Sequence, residues 1–172
     1  MSLQVLCCVE TEATADFDYQ YIKETISRFY VDDRKTIIRP IYLGSKTRYK
    51  AKSVISEIHK RTKKHSGETA VVYFIDYDDC DNNAETLKLF EKIKKFCIDN
   101  GFRFVFFCKD IEDVYIGHPV DTTQKRSAVA KFKSGNMINT INEKALRRED
   151  YKRHKSNILN VLDEYFIRRK EN

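Results

Sequence analysis

Apolar and polar positions along this chain alternate between two periods. Residues 3–9 (Leu3-Gln4-Val5-Leu6-Cys7-Cys8-Val9) form a short apolar run, the pattern of a buried strand. Residues 16–30 then place Phe17, Tyr21, Ile22, Ile26 and Phe29 on one face at helical spacing. That predicts an amphipathic helix, with Thr14 or Asp16 as its cap. Residues 36–43 predict a second strand, and Pro40 assigns it to a sheet edge because proline has no ladder donor. A second helix over 47–64 turns Ala51, Val54, Ile55 and Ile58 inward and breaks at Ser66-Gly67. Residues 69–75 predict a third strand. A third helix over 83–99 has Leu87, Phe90, Ile93 and Cys97 inward and Asp81 or Asn82 as its N-cap. Asn100-Gly101 ends it, since glycine accepts the left-handed conformation there. Residues 102–108 predict a fourth strand.

The order β-α-β-α-β-α-β implies an α/β fold, a mostly parallel four-stranded sheet with helices on both faces. Residues 109–137 are less periodic and read as a short helix near 110–116 followed by a mobile connection. Beyond them, Tyr151, Ile158, Leu162, Tyr165 and Phe166 keep helical spacing, which predicts a C-terminal helical extension over about 141–169, broken near Arg148. That helix either packs on the sheet or pairs with a second subunit, giving a homo-oligomer. No repeat or linker divides the chain. One domain over 1–172 is expected, with a core at about 3–120 and a connection and tail at about 121–169.

Composition removes several classes. The chain has 172 residues and is 41% hydrophobic, with a mean hydropathy of −0.59. No apolar run approaches the roughly 20 residues of a membrane span, so no membrane partner is expected. No charged leader or cleavage site precedes the first strand, so no signal peptide is expected and the cytoplasm is the expected location. Five cysteines occur, at 7, 8, 80, 97 and 108, with no C-x-x-C. Cys7, Cys8 and Cys108 lie in apolar runs and read as small buried hydrophobes in a reducing compartment.

Net charge is +6 and the isoelectric point about 9.0. Basic residues gather at Lys60-Arg61 with Lys63-Lys64, at Lys92 with Lys94-Lys95, at Arg147-Arg148 with Lys152, Arg153 and Lys155, and at Arg168-Arg169-Lys170. Such a surface suits a polyanion such as nucleic acid. A plain solvated lysine face accounts for the charge equally well.

The candidate chemistry lies in two acidic clusters, each directly after an apolar run. Glu10 and Glu12 follow the first strand; Asp76, Asp78, Asp79 and Asp81 follow the third. In doubly wound sheets strands one and three commonly lie side by side, and ligands sit beyond the carboxyl ends. Glu10 and Asp76 would then end adjacent strands about 4.8 Å apart. Converging carboxylates repel one another unless a cation lies between them, and hard divalent cations favour such oxygen donors. Turn formation and helix capping are the competing roles for the same residues.

These stretches resemble the Toprim family. A glutamate follows the first strand in Val9-Glu10-Thr11-Glu12, and a D-x-D-D follows a later strand in Asp76-Tyr77-Asp78-Asp79. A third stretch, Ile111-Glu112-Asp113-Val114-Tyr115-Ile116-Gly117-His118, is similar to the glutamate-and-histidine segment of small OLD-like and RloB-like Toprim proteins of bacterial anti-phage defence. The resemblance covers about residues 3–120. It departs at Thr11, where the family usually has glycine, and at Tyr115, where the usual aromatic is displaced. It implies a metal-dependent nuclease acting on DNA or RNA with Mg²⁺ or Mn²⁺. Glu10, Asp76 and Asp78 would be catalytic and hold the metal, and Asp79 and Glu112 would help with a second ion. His118 would at most shape the pocket. Lys109, Lys125 and Arg126, beyond the carboxyl side of the sheet, are candidates for contacting nucleic acid. The chain has no P-loop motif, so the resemblance also implies a separate ATPase partner. Two other classes stay open: a non-catalytic nucleic-acid or partner-binding module, and a receiver-like phosphoacceptor with Asp76 as the acceptor.

Overall fold

The computed structural model describes residues 2–32, 35–78 and 83–170. Its first strand, β1 (Leu3–Val9), becomes an inner strand because its residues are apolar on both faces. Val5, Cys7 and Val9 enter one hydrophobic core, while Leu6 and Cys8 enter another on the opposite face. Parallel neighbours flank it: β2 (Thr36–Tyr42) on one side and β3 (Glu68–Asp76) on the other. β4 (Arg103–Cys108) lies parallel to β3, and a two-residue β5 (Lys155–Ser156) runs antiparallel to β4. The sheet order is β2-β1-β3-β4-β5, an α/β arrangement with one antiparallel edge.

Helices cover both faces. α1 (Phe17–Phe29), α4 (Ile111–Ile116), α5 (Lys125–Ser134) and α6 (Ile158–Leu162) contribute to the first core. α2 (Lys52–Lys64) and α3 (Ala84–Asp99) contribute to the second. Fully buried Tyr21, Ile22 and Phe132 pack beneath the first layer, and Phe90 and Ile93 beneath the second. Burying each such side chain contributes about 1.5–3 kcal/mol.

Several expectations need correction. The sheet has five strands rather than four. The segment expected as a long C-terminal helix is instead 3-10 turns at Met137–Thr140 and Glu143–Arg147, then β5 and the short α6. Its apolar spacing arises from separate contacts. Arg148 is extended and His154 has a φ of 62°, both incompatible with a helix. Asn157 draws the chain onto the sheet by accepting from Phe106 N (3.0 Å) and donating to Phe104 O (3.1 Å). The region expected as a connection holds a ten-residue helix, α5, anchored by buried Val129 and Phe132.

The second helix also starts later than its pattern indicates. Lys46–Arg48 form a 3-10 turn, Ala51 is non-helical, and α2 begins at Lys52. Leu87 is 41% exposed rather than inward. The N-cap of α3 is Asn83, which accepts from Glu85 N and Thr86 N; Asp81 and Asn82 lie outside the described residues. Gly101 does take a positive φ, 69°.

β2 is the edge strand that Pro40 indicates. Leu43 N donates to Val9 O, and Lys35 O accepts from Leu3 N, so odd-numbered residues bond inward and even-numbered ones face out. On the outer side Tyr19 Oη donates to Ile38 O (3.2 Å) and Arg61 Nη1 to Pro40 O (3.0 Å).

Candidate functional site

The parallel register pairs Val9 with Phe74, so Glu10 and Asp76 leave adjacent strands at the same sheet edge. There the Asp76 amide donates to Glu10 Oε1 at 2.7 Å. Asp76 Oδ1 accepts from Ile111 N at 3.1 Å, tying the end of β3 to the start of α4. The 3-10 turn after β2 brings in Lys46. Its Nζ donates to Asp76 O at 2.6 Å and to Asp78 Oδ2, and lies 3.8 Å from Glu10 Oε1.

Two further acids come from the helices above the first core. Asp18, on α1, is 5% exposed, and Glu112, on α4, is 0% exposed. Lys125, on α5, pairs with Glu112 Oε2 at 3.1 Å. Asp18 Oδ1, Glu112 Oε1, Thr11 Oγ1 and Tyr21 Oη are buried with no hydrogen-bond partner among the described residues. Orphaned buried oxygens are costly and uncommon in folded proteins.

The carboxylates act on one another as one electrostatic unit. Burial, opposed mainly by Lys46, pushes Glu10 up to about 7. Burial, reinforced by the charges of Glu112 and Glu10, pushes Asp18 up to about 7. Asp76 is raised well above the usual carboxylate range by burial and then by Glu10, Asp18 and Glu112. Burial raises Glu112 against the pull of Lys125. Burial works to lower the Lys46 and Lys125 ammonium groups, but the surrounding carboxylates outweigh it and raise both.

Among the sequence candidates, the structure therefore brings together Glu10, Asp76, Asp78, Glu112 and Lys125. Asp78 stands at the rim, its side chain 57% exposed. Asp79 lies outside the described residues. Lys109 contributes a backbone amide, to Asp113 Oδ2 at 3.3 Å, and Arg126 stands exposed on α5. Glu12 and His118 are exposed. Among the described residues no three His, Cys, Asp or Glu side chains form a group that could hold a metal ion as they stand; Lys46 reaches in among Glu10, Asp76 and Asp78.

Sequence reasoning missed Asp18 and Lys46. Asp18 had a visible signal: it lies three and four residues before Tyr21 and Ile22, on the apolar stripe of α1, where a charged residue is out of place. Lys46 had none, because its turn reads as the first turn of the helix that follows.

Asp113 is a further buried acid with a different task. It is 0% exposed and ties the tail to α4 through Arg153 Nη2 (3.1 Å), His154 Nδ1 (3.0 Å) and the His154 amide (3.3 Å). Among the described residues no helix is long and apolar enough to cross a membrane.

Compared with protein-family models, with curated proteins and with solved structures, the chain matches none.

Proposed function

We propose that this protein is a metal-dependent nucleic-acid phosphodiester hydrolase of the Toprim type, acting in phage defence. One observation carries the reading. Glu10, Asp18, Asp76 and Glu112 gather at the carboxyl end of the sheet, with Asp18 Oδ1 and Glu112 Oε1 buried and unpartnered. Lys46 and Lys125 are the cations paired with the group, so its ionised form carries excess negative charge. All the donors are hard oxygens, the kind that suit Mg²⁺ or Mn²⁺. The resemblance of Val9–Glu12 and Asp76–Asp79 to Toprim motifs supports the same reading.

Glu10, Asp76 and Asp78 would hold the ion, with Asp18 and Glu112 behind them and Lys46 turning outward. When bound, the ion supplies Lewis-acid chemistry, polarising a phosphoryl oxygen and acidifying a water. The chain's own groups account for the rest. The oxygen of water bonds to phosphorus as the bond to one sugar oxygen breaks. Glu10, at the end of β1 beside the Asp76 amide, would take the proton from water and pass it to the departing sugar oxygen. Lys46 and Lys125 face the charge that gathers on the phosphate. A separate ATPase partner belongs to the same proposal.

A binding scaffold is the second reading. It is favoured by Lys46, whose contacts with Asp76 O, Asp78 and Glu10 already neutralise part of the site. The deciding experiment incubates the purified chain with plasmid DNA and with total tRNA, in Mg²⁺, Mn²⁺ or EDTA, beside a Glu10→Gln/Asp78→Asn variant. Cleavage that requires the ion and disappears in the variant supports hydrolysis and names the substrate. Salt-sensitive binding without cleavage supports the scaffold.

A further inference from the structure

We propose that the exposed face of α2 is the track on which a nucleic-acid phosphate backbone runs toward the carboxylate cluster. The inference rests on the hydrolase reading for its polyanion and adds the surface that holds it.

Charge is segregated in this chain. Between Lys46 and His65 eight basic side chains face a single acid, Glu57. That surplus exceeds the +6 of the whole protein, so all the remaining sequence is slightly acidic. The lone acid is already engaged, with Arg61 Nε at 2.6 Å and Lys60 Nζ at 3.7 Å, and Arg61 is turned aside to Pro40 O. Among the described residues no carboxylate pairs with Lys50, Lys52, Lys63 or Lys64.

The fold then orients these charges. Val54 and Ile58 bury the inner side of α2. Lys50, Lys52, His59, Lys60, Lys63 and Lys64 line an open trough of about 830 Å³ on its outer side. The same segment begins at Lys46, inside the carboxylate cluster, so the trough leads away from the site itself. At 1.5 Å per residue the thirteen residues of α2 span about 20 Å, the rise of about six base pairs at 3.4 Å each.

The chemistry of the face selects its ligand. From Lys50 to Lys64 no Phe, Tyr or Trp occurs, and a single histidine ring is no platform for a run of unpaired bases. A row of lysines on an open helix face meets phosphates, and phosphate contacts carry no base code. The track is thus independent of sequence, and DNA and RNA share the chemistry it recognises.

The test uses the full chain carrying Glu10→Gln/Asp78→Asn, in EDTA, so that the probe is not consumed. Fluorescence anisotropy measures binding to a labelled 20-base-pair duplex, as DNA in one arm and RNA in the other, over a series of KCl concentrations. Adding Lys52→Gln/Lys60→Gln/Lys63→Gln should weaken binding at least tenfold near 0.1 M salt. It should also make the slope of log K against log salt shallower by about 0.9 per lysine, or about 3 in all, on duplex DNA. Lys131→Gln/Lys144→Gln, on the opposite face, should change affinity less than twofold and leave the slope nearly as it was. The arm that binds more tightly names the nucleic acid. An unchanged affinity and slope in the α2 variant overturns the track, as does an equal loss per lysine in the control. If the parent binds neither duplex, the track also fails, and cleavage by the wild-type chain then tells whether the hydrolase reading falls with it.

Discussion

The Glu10 carboxylate accepts a 2.7 Å hydrogen bond from the backbone amide of Asp76. A side chain leaving one strand thus caps the end of its neighbour, and the residue proposed to do the chemistry also holds the structure together. Substitution separates them. Glu10→Gln keeps an oxygen for the Asp76 amide and should alter unfolding free energy in urea by less than about 1 kcal/mol. Glu10→Ala leaves that amide unmet and should cost about 1–3 kcal/mol. Both should abolish metal-dependent cleavage. A Gln variant that still cuts would remove Glu10 from the chemistry.

Asp18 makes stability depend on pH in a defined direction. Its pKa is raised from the usual 3.8 to about 7, so between these values the folded chain binds a proton that the unfolded chain has released. Stability therefore falls as pH rises from about 4 to 7 and levels off above. Asp18→Asn reduces the dependence, leaving the part that comes from Glu10, Asp76 and Glu112. The variant should match the wild type near pH 4 and exceed it by a few kcal/mol at pH 8 in EDTA, since each tenfold difference in proton affinity is worth about 1.4 kcal/mol. Thermal melts of both chains across that range would show it; parallel curves would refute it.

Divalent ions should relieve the same repulsion. Mg²⁺ or Mn²⁺ at a hundred times its dissociation constant should stabilise the wild type by about 2.7 kcal/mol, seen as a rise in melting temperature at pH 8. Asp76→Asn should lose this rise while remaining folded. An equal rise in both chains would place the ion elsewhere.

Asn157 holds the tail to the sheet by bonding two backbone groups of β4, Phe106 N and Phe104 O. Asn157→Ala leaves both unpaired in a buried setting and should cost about 2–4 kcal/mol. Circular dichroism during urea unfolding would measure the loss. A change under about 0.5 kcal/mol, as is usual for surface substitutions, would mean that the tail is held by its apolar contacts alone.

How far the sequence could be read depended on how local each signal was. The first four strands and the first three helices were legible because each carries its own period: Val5, Cys7 and Val9 on one side of β1, Val54 and Ile58 on one side of α2. The pairing of Glu10 with Asp76 followed from a general rule about strand order, and the register bears it out. The tail was not legible, because Tyr151, Ile158 and Leu162 match a helix by spacing alone. What places them is long-range, in the bonds of Asn157 to β4 and of Asp113 to His154. Lys46 was hidden for a similar reason, since a 3-10 turn and a first helical turn have nearly the same pattern.

The outer side of β2 bears on how copies of this chain can meet. Pro40 offers no donor there, and the carbonyls of Ile38 and Pro40 are already taken by Tyr19 and Arg61. Exposed Ile37 and Val31 lie on or beside this strand, a combination that elsewhere invites sheets to fuse. At the far edge β5 is two residues long, too short to template another strand. Among the described residues, neither margin of the sheet offers a long unpaired row of donors and acceptors for strand exchange. Crowding many copies together should leave them as separate molecules, meeting through side chains if at all, instead of seeding a fibre.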